Sequence, residues 1–513
     1  MATNARTTCH SISWLLLLLS AWCLFVQGPV SASALVVTHL PGFDGPLPFS
    51  LETGYIEVDE SNGVNLFYYF VQSEQEPSKD PVLLWLQGGP GCSGLSGLVY
   101  EIGPFLFDVQ GYKDELPRLL YRPETWTKVS NIIFVDSPVG AGFSYASSKE
   151  GHMSSDTIAI KQLVIFLNKW MKEHPQFVSN SLYIGGESYS GIVIPSLVLE
   201  MDKLIRKESF GTLTFNLKGY IAGNPSTDKQ YDIDGTIKFY HGMGLISDEL
   251  FEAAKENCQG RYDPPANAQC STFTESIRHC TKDVNVFHIL EPSCESVWGE
   301  MAVTDEMRRD LQEARHNDLH LSFKCRSASY VLSHIWANNK TVRERLGIRQ
   351  GTIGEWKRCN RVIPYDKDIQ STLEHHLWLR RKGYQALIYS GDHDSAVSFV
   401  GTQPWIRSFN LSITDDWRPW HIDGQVCGFT RSYSSNLTYA TVKDERTESP
   451  RRRLDELASA AVRALTGVRM SSNLSRRCPA RPSLPCGSTS LEPPNLSTAD
   501  AGSLTGAEQV LAP

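Results

Sequence analysis

No histidine follows His421 in this 513-residue chain. A serine hydroxyl is a poor nucleophile until a base, most often an imidazole, takes its proton. For such chemistry the histidine is hard to find in this chain. Beyond Phe25 no apolar run is long enough to cross a bilayer. Positive charge is not in excess: 49 Lys and Arg face 57 Asp and Glu, for a net charge of −8. With a pI near 6.0, that argues against nucleic acid as a partner. A tight Cys-x-x-Cys pair is missing, which weighs against a zinc site. We find no internal repeat, and nothing in the sequence calls for a metal or a cofactor.

What is present starts with a targeting pattern. Arg6 gives a weakly basic start, Trp14 to Phe25 is apolar, and Ala32-Ser33-Ala34 supplies small residues suited to cleavage. Residues 1–34 thus read as a signal peptide, with a retained signal anchor as the alternative. No membrane contact is expected after its removal. Twelve cysteines fit an oxidising lumen. Cys258, Cys270, Cys280, Cys294 and Cys325 cluster in one stretch, and Cys92 and Cys359 lie outside it. Asn339, Asn410 and Asn436 each begin an Asn-x-Ser/Thr sequon, which is consistent with a glycoprotein of the secretory pathway, vacuolar or extracellular.

From residue 35 to 225 short β-rich runs alternate with helical periodicity. The runs are Pro81 to Gln87, Asn131 to Asp136, Leu182 to Gly186 and Leu217 to Ala222. Asp156 to His174 reads as a helix burying Ile158, Leu163, Phe166, Leu167 and Trp170. This alternation predicts an α/β fold with a mostly parallel sheet and a ligand site at the strands' carboxyl ends. Residues 226–345 break the rhythm as a cysteine-rich, partly helical insertion, or cap. The core resumes over 346–443, with strands at Gln385 to Ser390 and Leu437 to Lys443. Residues 444–513 are rich in Arg, Ser, Pro and Ala and have the composition of disorder.

Leu182-Tyr-Ile-Gly-Gly-Glu-Ser188-Tyr-Ser-Gly191 is a β-rich run, a glycine turn and a serine. It has the layout of a nucleophile elbow, a strand-to-helix turn that presents a hydroxyl. Upstream, Gly88-Gly89-Pro90-Gly91-Cys92-Ser93 follows an apolar strand. Such a loop can aim backbone N–H groups at a developing oxyanion. Asp394, in Gly391-Asp392-His393-Asp394, is the candidate acid, with Asp392 as its competitor. The order of loop, serine and acid is that of α/β-hydrolases.

Three segments together resemble the plant serine carboxypeptidase-like family over residues 36–443: Trp85 to Ser93, Gly186 to Gly191, and Tyr389 to Asp394. Phe134 to Tyr145, His241 to Asp248, and Asp415 to Trp420 resemble its acyltransferase-type branch. That branch transfers acyl groups from glucose esters to an acceptor, while the wider family removes C-terminal residues from peptides. The resemblance implies an α/β-hydrolase fold, with Ser188 as nucleophile and Asp394 as triad acid. It puts the oxyanion hole at the N–H groups of Gly89 and Tyr189. Trp85, Gln87, Gly88, Glu101 and Glu187 fall at the substrate-binding positions, where one of two neighbouring glutamates keeps its proton. Gln87 departs from the Asn usual in the peptidases. The resemblance also implies bridges Cys92–Cys359 and Cys258–Cys270, leaves Cys280, Cys294 and Cys325 without assigned partners, and makes Cys427 extra.

The family carries its catalytic histidine on a Gly-rich loop soon after the strand matched by Thr438 to Lys443. Here Lys443 runs into Asp444-Glu445-Arg446, and no histidine follows. His421 precedes that strand at a position the family does not use for catalysis, and His393 would have to fold back on its own neighbour. The expectation is a serine carboxypeptidase-like protein whose acyl transfer is impaired by a missing base. A peptidase of acidic pH and a pocket-retaining relative without turnover are the alternatives. The change at Asp444 reads as a replaced chain ending, through an altered terminal exon, a frameshift or a faulty gene prediction, or as a genuine non-catalytic relative. Substrates are an acyl glucose ester with its acceptor, or a peptide C-terminus.

Overall fold

The computed structural model describes residues 34–113, 116–206, 215–293, 329–422 and 424–443. The expected signal segment up to residue 33, Cys294, Cys325 and the tail from Asp444 lie outside them.

Short runs of Val, Ile, Leu and aromatic residues make the strands: β-branched and aromatic side chains suit a pleated surface buried on both faces. Eleven of them form one sheet. They are β1 (Leu35–Val37), β2 (Leu51–Asp59), β3 (Val64–Val71), β4 (Val82–Leu86), β5 (Asn131–Val135), β6 (Leu182–Glu187), β7 (Leu217–Gly223), β8 (Gln385–Gly391), β9 (Ile413–Ile422), β10 (Gln425–Tyr433) and β11 (Leu437–Val442). Their order across the sheet is β1-β2-β3-β5-β4-β6-β7-β8-β11-β10-β9. The centre, from β5 to β11, is parallel. Both flanks are antiparallel. The expectation of a mostly parallel sheet therefore holds only for the centre. Where a short turn joins neighbours, as for β2–β3, β9–β10 and β10–β11, the strands must run antiparallel, because a parallel return needs a crossover.

Alternate residues of each strand enter opposite cores. Leu83, Trp85, Ile132 and Phe134 join one core, and Leu84, Leu86, Ile133 and Val135 join the other. Helix α1 (Asp156–Glu173) begins where Ser155 accepts a hydrogen bond from the Ile158 N–H. Its Leu163, Phe166, Leu167 and Trp170 are fully buried against the second core. Ile158, expected on that face, is 39% exposed. It lies five residues from Leu163, about 140° around the helix. Helix α2 (Ser190–Arg206) follows β6 directly.

Between β7 and β8 lie α3 (Lys229–Gly242), α4 (Asp248–Cys258) and α5 (Ala268–Thr281), then α6 (Val331–Asn338), α7 (Lys340–Arg345) and α8 (Leu373–Arg381). Helices α3 to α5 bury a separate small core around Phe239, Phe251 and Ile277, with Cys258 and Cys270 joined inside it. Residues His241 to Asp248 turn the chain from α3 to α4, and His241 Nε2 stands 2.7 Å from Asp248 Oδ1. By contrast α6 and α7 pack on the main sheet: Leu332, Trp336 and Val342 join the first core. The Trp336 indole N–H donates to the Pro41 carbonyl at 2.8 Å. Helix α9 (Phe399–Ser408) returns after β8. A central parallel sheet with helices on both faces and antiparallel flanks is an α/β-hydrolase fold. No described helix is long and apolar enough to cross a membrane.

Leu163→Ala should lower the free energy of unfolding by about 2–5 kcal/mol, because it empties a fully buried site. Urea unfolding followed by tryptophan fluorescence measures it.

Candidate functional site

Strand β6 is buried through Gly186, and the chain then bends sharply into α2. Ser188 sits at the bend with φ of 58°, in the left-handed region. Its N–H donates to the Gly223 carbonyl at 2.9 Å. Its own carbonyl accepts from Gly191 N–H at 2.9 Å and Ser226 N–H at 3.0 Å. The Ser190 hydroxyl donates to the Glu187 carbonyl at 2.6 Å, which closes the turn. Gly88 is required by proximity: a Cβ there would stand 2.7 Å from the Ser188 Cβ.

The glycine loop that meets Ser188 continues from β4. Gly89 and Gly91 take φ of 119° and 91°, values that favour glycine. Three ties fix the loop to residues 358–360. Cys92 is disulfide-bonded to Cys359, the Ser93 N–H donates to Arg358 O at 2.8 Å, and the Asn360 N–H donates to Gly91 O at 2.9 Å. Asp136, fully buried after β5, gathers three more donors at 2.7 Å: the Ser93 hydroxyl, the Gly94 N–H and the Phe143 N–H. Burial pushes its carboxyl up to about 6 in spite of these donors.

Two glutamates meet beside the loop. Gln87 Nε2 donates to Glu101 Oε1 at 2.5 Å and to Glu187 Oε1 at 2.6 Å, so one amide bridges both acids. Glu101 Oε2 also accepts from the Trp85 indole at 3.0 Å, and Glu187 Oε1 from the Gly88 N–H at 3.1 Å. Trp85 is 1% exposed, so it props Glu101 from inside the fold. Burial, then the charge of Glu101, pushes Glu187 up to about 8. Burial also raises Glu101, against the pull of Gln87, Trp85, Arg358 and Arg122.

Asp394 stands on the loop after β8 with Oδ1 accepting from Ala396 N–H at 2.7 Å and Val397 N–H at 3.1 Å. Burial pushes it up to about 7. Asn224, after β7, links this loop to the elbow. Its N–H donates to Tyr389 O at 2.8 Å, and its Oδ1 accepts from the Gly391 N–H at 3.3 Å. The competitor Asp392 faces its own neighbour, 2.7 Å from His393 Nδ1. The His393 ring in turn stacks on His288, with centroids 5.5 Å apart.

Strand β11 ends beside the same loop, where the Asp392 N–H donates to Val442 O at 3.0 Å. A base carried just beyond β11 would arrive next to Asp394. His421 is exposed on β9, the far edge of the sheet. Five strand spacings separate β9 from β6, on the order of 20 Å, so His421 does not serve Ser188.

Arg358 and Asn224 were not expected from sequence. Arg358 lies over the Tyr330 ring at 4.2 Å, and its charge reaches both glutamates. Its one signal was adjacency to Cys359. Asn410 and Asn436 are exposed, and Asn339 is half-buried, capping α7 through its side-chain oxygen. Cys427 is buried on β10 with a free thiol, and Cys280 is exposed near the end of α5.

A raised acid is stabilised in its protonated form, so its contribution to stability is full below the unfolded-state value and is lost as pH rises through the folded one. For Glu187 that window runs from the ordinary carboxyl range to about 8. Melting temperature should fall across it, and Glu187→Gln should fall less steeply. Thermal scans at stepped pH test this.

A profile described as serine carboxypeptidase matches residues 41–454. Serine carboxypeptidase-like 2 of Arabidopsis thaliana is 46% identical over 429 residues, which is 83% of this chain and 91% of that protein. Serine carboxypeptidase-like 17 of the same plant is 43% identical, over 85% and 93%. Among solved structures, a prohormone-processing carboxypeptidase from Saccharomyces cerevisiae superposes with a TM-score of 0.67. It is 19% identical and covers 85% of this chain and 97% of its own, a likeness of fold. On these matches the chain belongs to the serine carboxypeptidase family.

Proposed function

We propose that this chain is a serine carboxypeptidase-like protein of the secretory pathway, vacuolar or extracellular, shaped for acyl transfer from a glucose ester and impaired by the loss of its triad base. One arrangement carries the reading. Ser188 is held in a left-handed turn against the Gly88–Gly89 loop. Asp394 lies buried on the same sheet edge, and β11 ends beside it with no histidine beyond.

In this reading Ser188 Oγ attacks the ester carbonyl while the Gly89 and Tyr189 N–H groups receive the oxyanion. The bond to the sugar oxygen breaks and leaves an acyl ester on Ser188, which an alcohol or water then takes. A histidine would carry the proton from Ser188 to the leaving oxygen, with Asp394 orienting its ring. Without that ring the oxyanion site and binding alone supply about 10³–10⁴-fold over water. Gln87 favours the ester over a peptide carboxylate, because its amide N–H groups are already spent on Glu101 and Glu187. The peptidase reading draws support from Glu187, which keeps a proton to donate to a carboxylate at acidic pH.

A fluorophosphonate should label the secreted protein slowly, and Ser188→Ala should abolish labelling. Asp394→Asn should change the rate by less than about threefold, since the aspartate acts only through a bound imidazole; an intact triad loses about 10⁴-fold. A loss of about a hundredfold or more would show that a base operates. Benzoyl-glucose should raise the melting temperature more than a blocked dipeptide at pH near 5, and the reverse order rejects the ester reading.

A further inference from the structure

Asp156, the first residue of α1, has a fully buried carboxylate that joins three separate segments. Its Oδ1 accepts from the Tyr189 and Tyr365 hydroxyls, each at 2.8 Å, and its Oδ2 from the Ile369 N–H at 2.9 Å. Its place in the first turn of a helix suits an anion. Burial, and then Asp156 itself, holds both phenols far above their usual range, so both remain donors. The two rings meet edge to face at 6.3 Å, and the Lys367 ammonium lies over the Tyr189 ring at 4.8 Å.

Tyr189 is the residue next to Ser188. One end of its side chain is fixed at Asp156, and the other joins the backbone whose N–H the proposed mechanism assigns to the oxyanion. A left-handed serine persists only where its surroundings over-determine the backbone. The bonds on Ser188 itself hold the elbow from the β7 side and from within the turn. Asp156 supplies a hold on Tyr189 from the α1 side.

We propose that Asp156 is a positioning residue for the oxyanion site: it grips the Tyr189 phenol and so aims the Tyr189 N–H. The inference rests on reading Ser188 as the nucleophile. The Tyr365 hydroxyl shares the carboxylate but bonds nothing in the elbow, and Tyr365→Phe keeps the ring contact with Tyr189, which makes it the control.

The test compares Tyr189→Phe, Asp156→Ala, their combination and Tyr365→Phe in the full chain. The readouts are the saturating rate and half-saturating concentration of fluorophosphonate at Ser188, and hydrogen exchange in the peptide 186–191. Tyr189→Phe and Asp156→Ala should each slow the saturating rate about tenfold with the half-saturating concentration unchanged. The combination should be no slower than the worse single change. Exchange should quicken in all three, and Tyr365→Phe should stay within about twofold of the parent in rate. Tyr189→Phe without effect on rate and exchange overturns the proposal, as does Tyr365→Phe slowing the reaction equally. If Asp156→Ala does not fold, the two tyrosine variants decide. If the parent is not labelled, the nucleophile reading fails on its own, and exchange alone decides whether Asp156 holds the elbow.

Discussion

The backbone of Ser188 is the constraint around which the sheet edge is organised. A non-glycine residue in the left-handed region costs roughly 1–3 kcal/mol, and it survives only where neighbours leave no alternative. Here the parallel pairing of β6 with β7 brings the Gly223 carbonyl to the Ser188 N–H. The chain after β7 returns the Ser226 N–H to the Ser188 carbonyl. Gly88 allows the neighbouring loop to close on the serine side chain. Replacing the serine leaves this frame intact, because almost all of it is main-chain bonding.

Carboxyl groups gather around that turn. Asp136, Glu101, Glu187 and Asp394 all lie in or under the carboxyl edge, and burial raises each of them. The site therefore holds protons that a solvated cluster would lose. An acidic compartment suits such a site, since the cost of ionising buried carboxyls rises with pH. An imidazolium beside Asp394 would offset part of this cost.

Much of this was legible in the sequence where local chemistry decides. The elbow announced itself through small residues around a serine after a β-rich run, and β4 to β8 through short apolar runs. The helix from Asp156 was legible from its periodicity, apart from Ile158, which the 3.6-residue repeat turns outward. The antiparallel flanks were not legible, because a run such as Val64–Val71 is buried on both faces and carries no sign of its partner's direction. The hairpin of β9 and β10 was missed because Asp415, Asp416 and Arg418 break the apolar pattern at an exposed edge. Arg358 and Asn224 reach the site through tertiary contacts, which no spacing encodes.

The bridge from Cys92 to Cys359 spans 267 positions. It joins the loop after an early strand to a segment that leaves the ribosome far later, after α3 to α5. The covalent clasp on the glycine loop thus waits for 267 further residues to be made. A chain whose Cys92 and Cys359 thiols stay reduced lacks that clasp, so the fully tied loop requires oxidising surroundings.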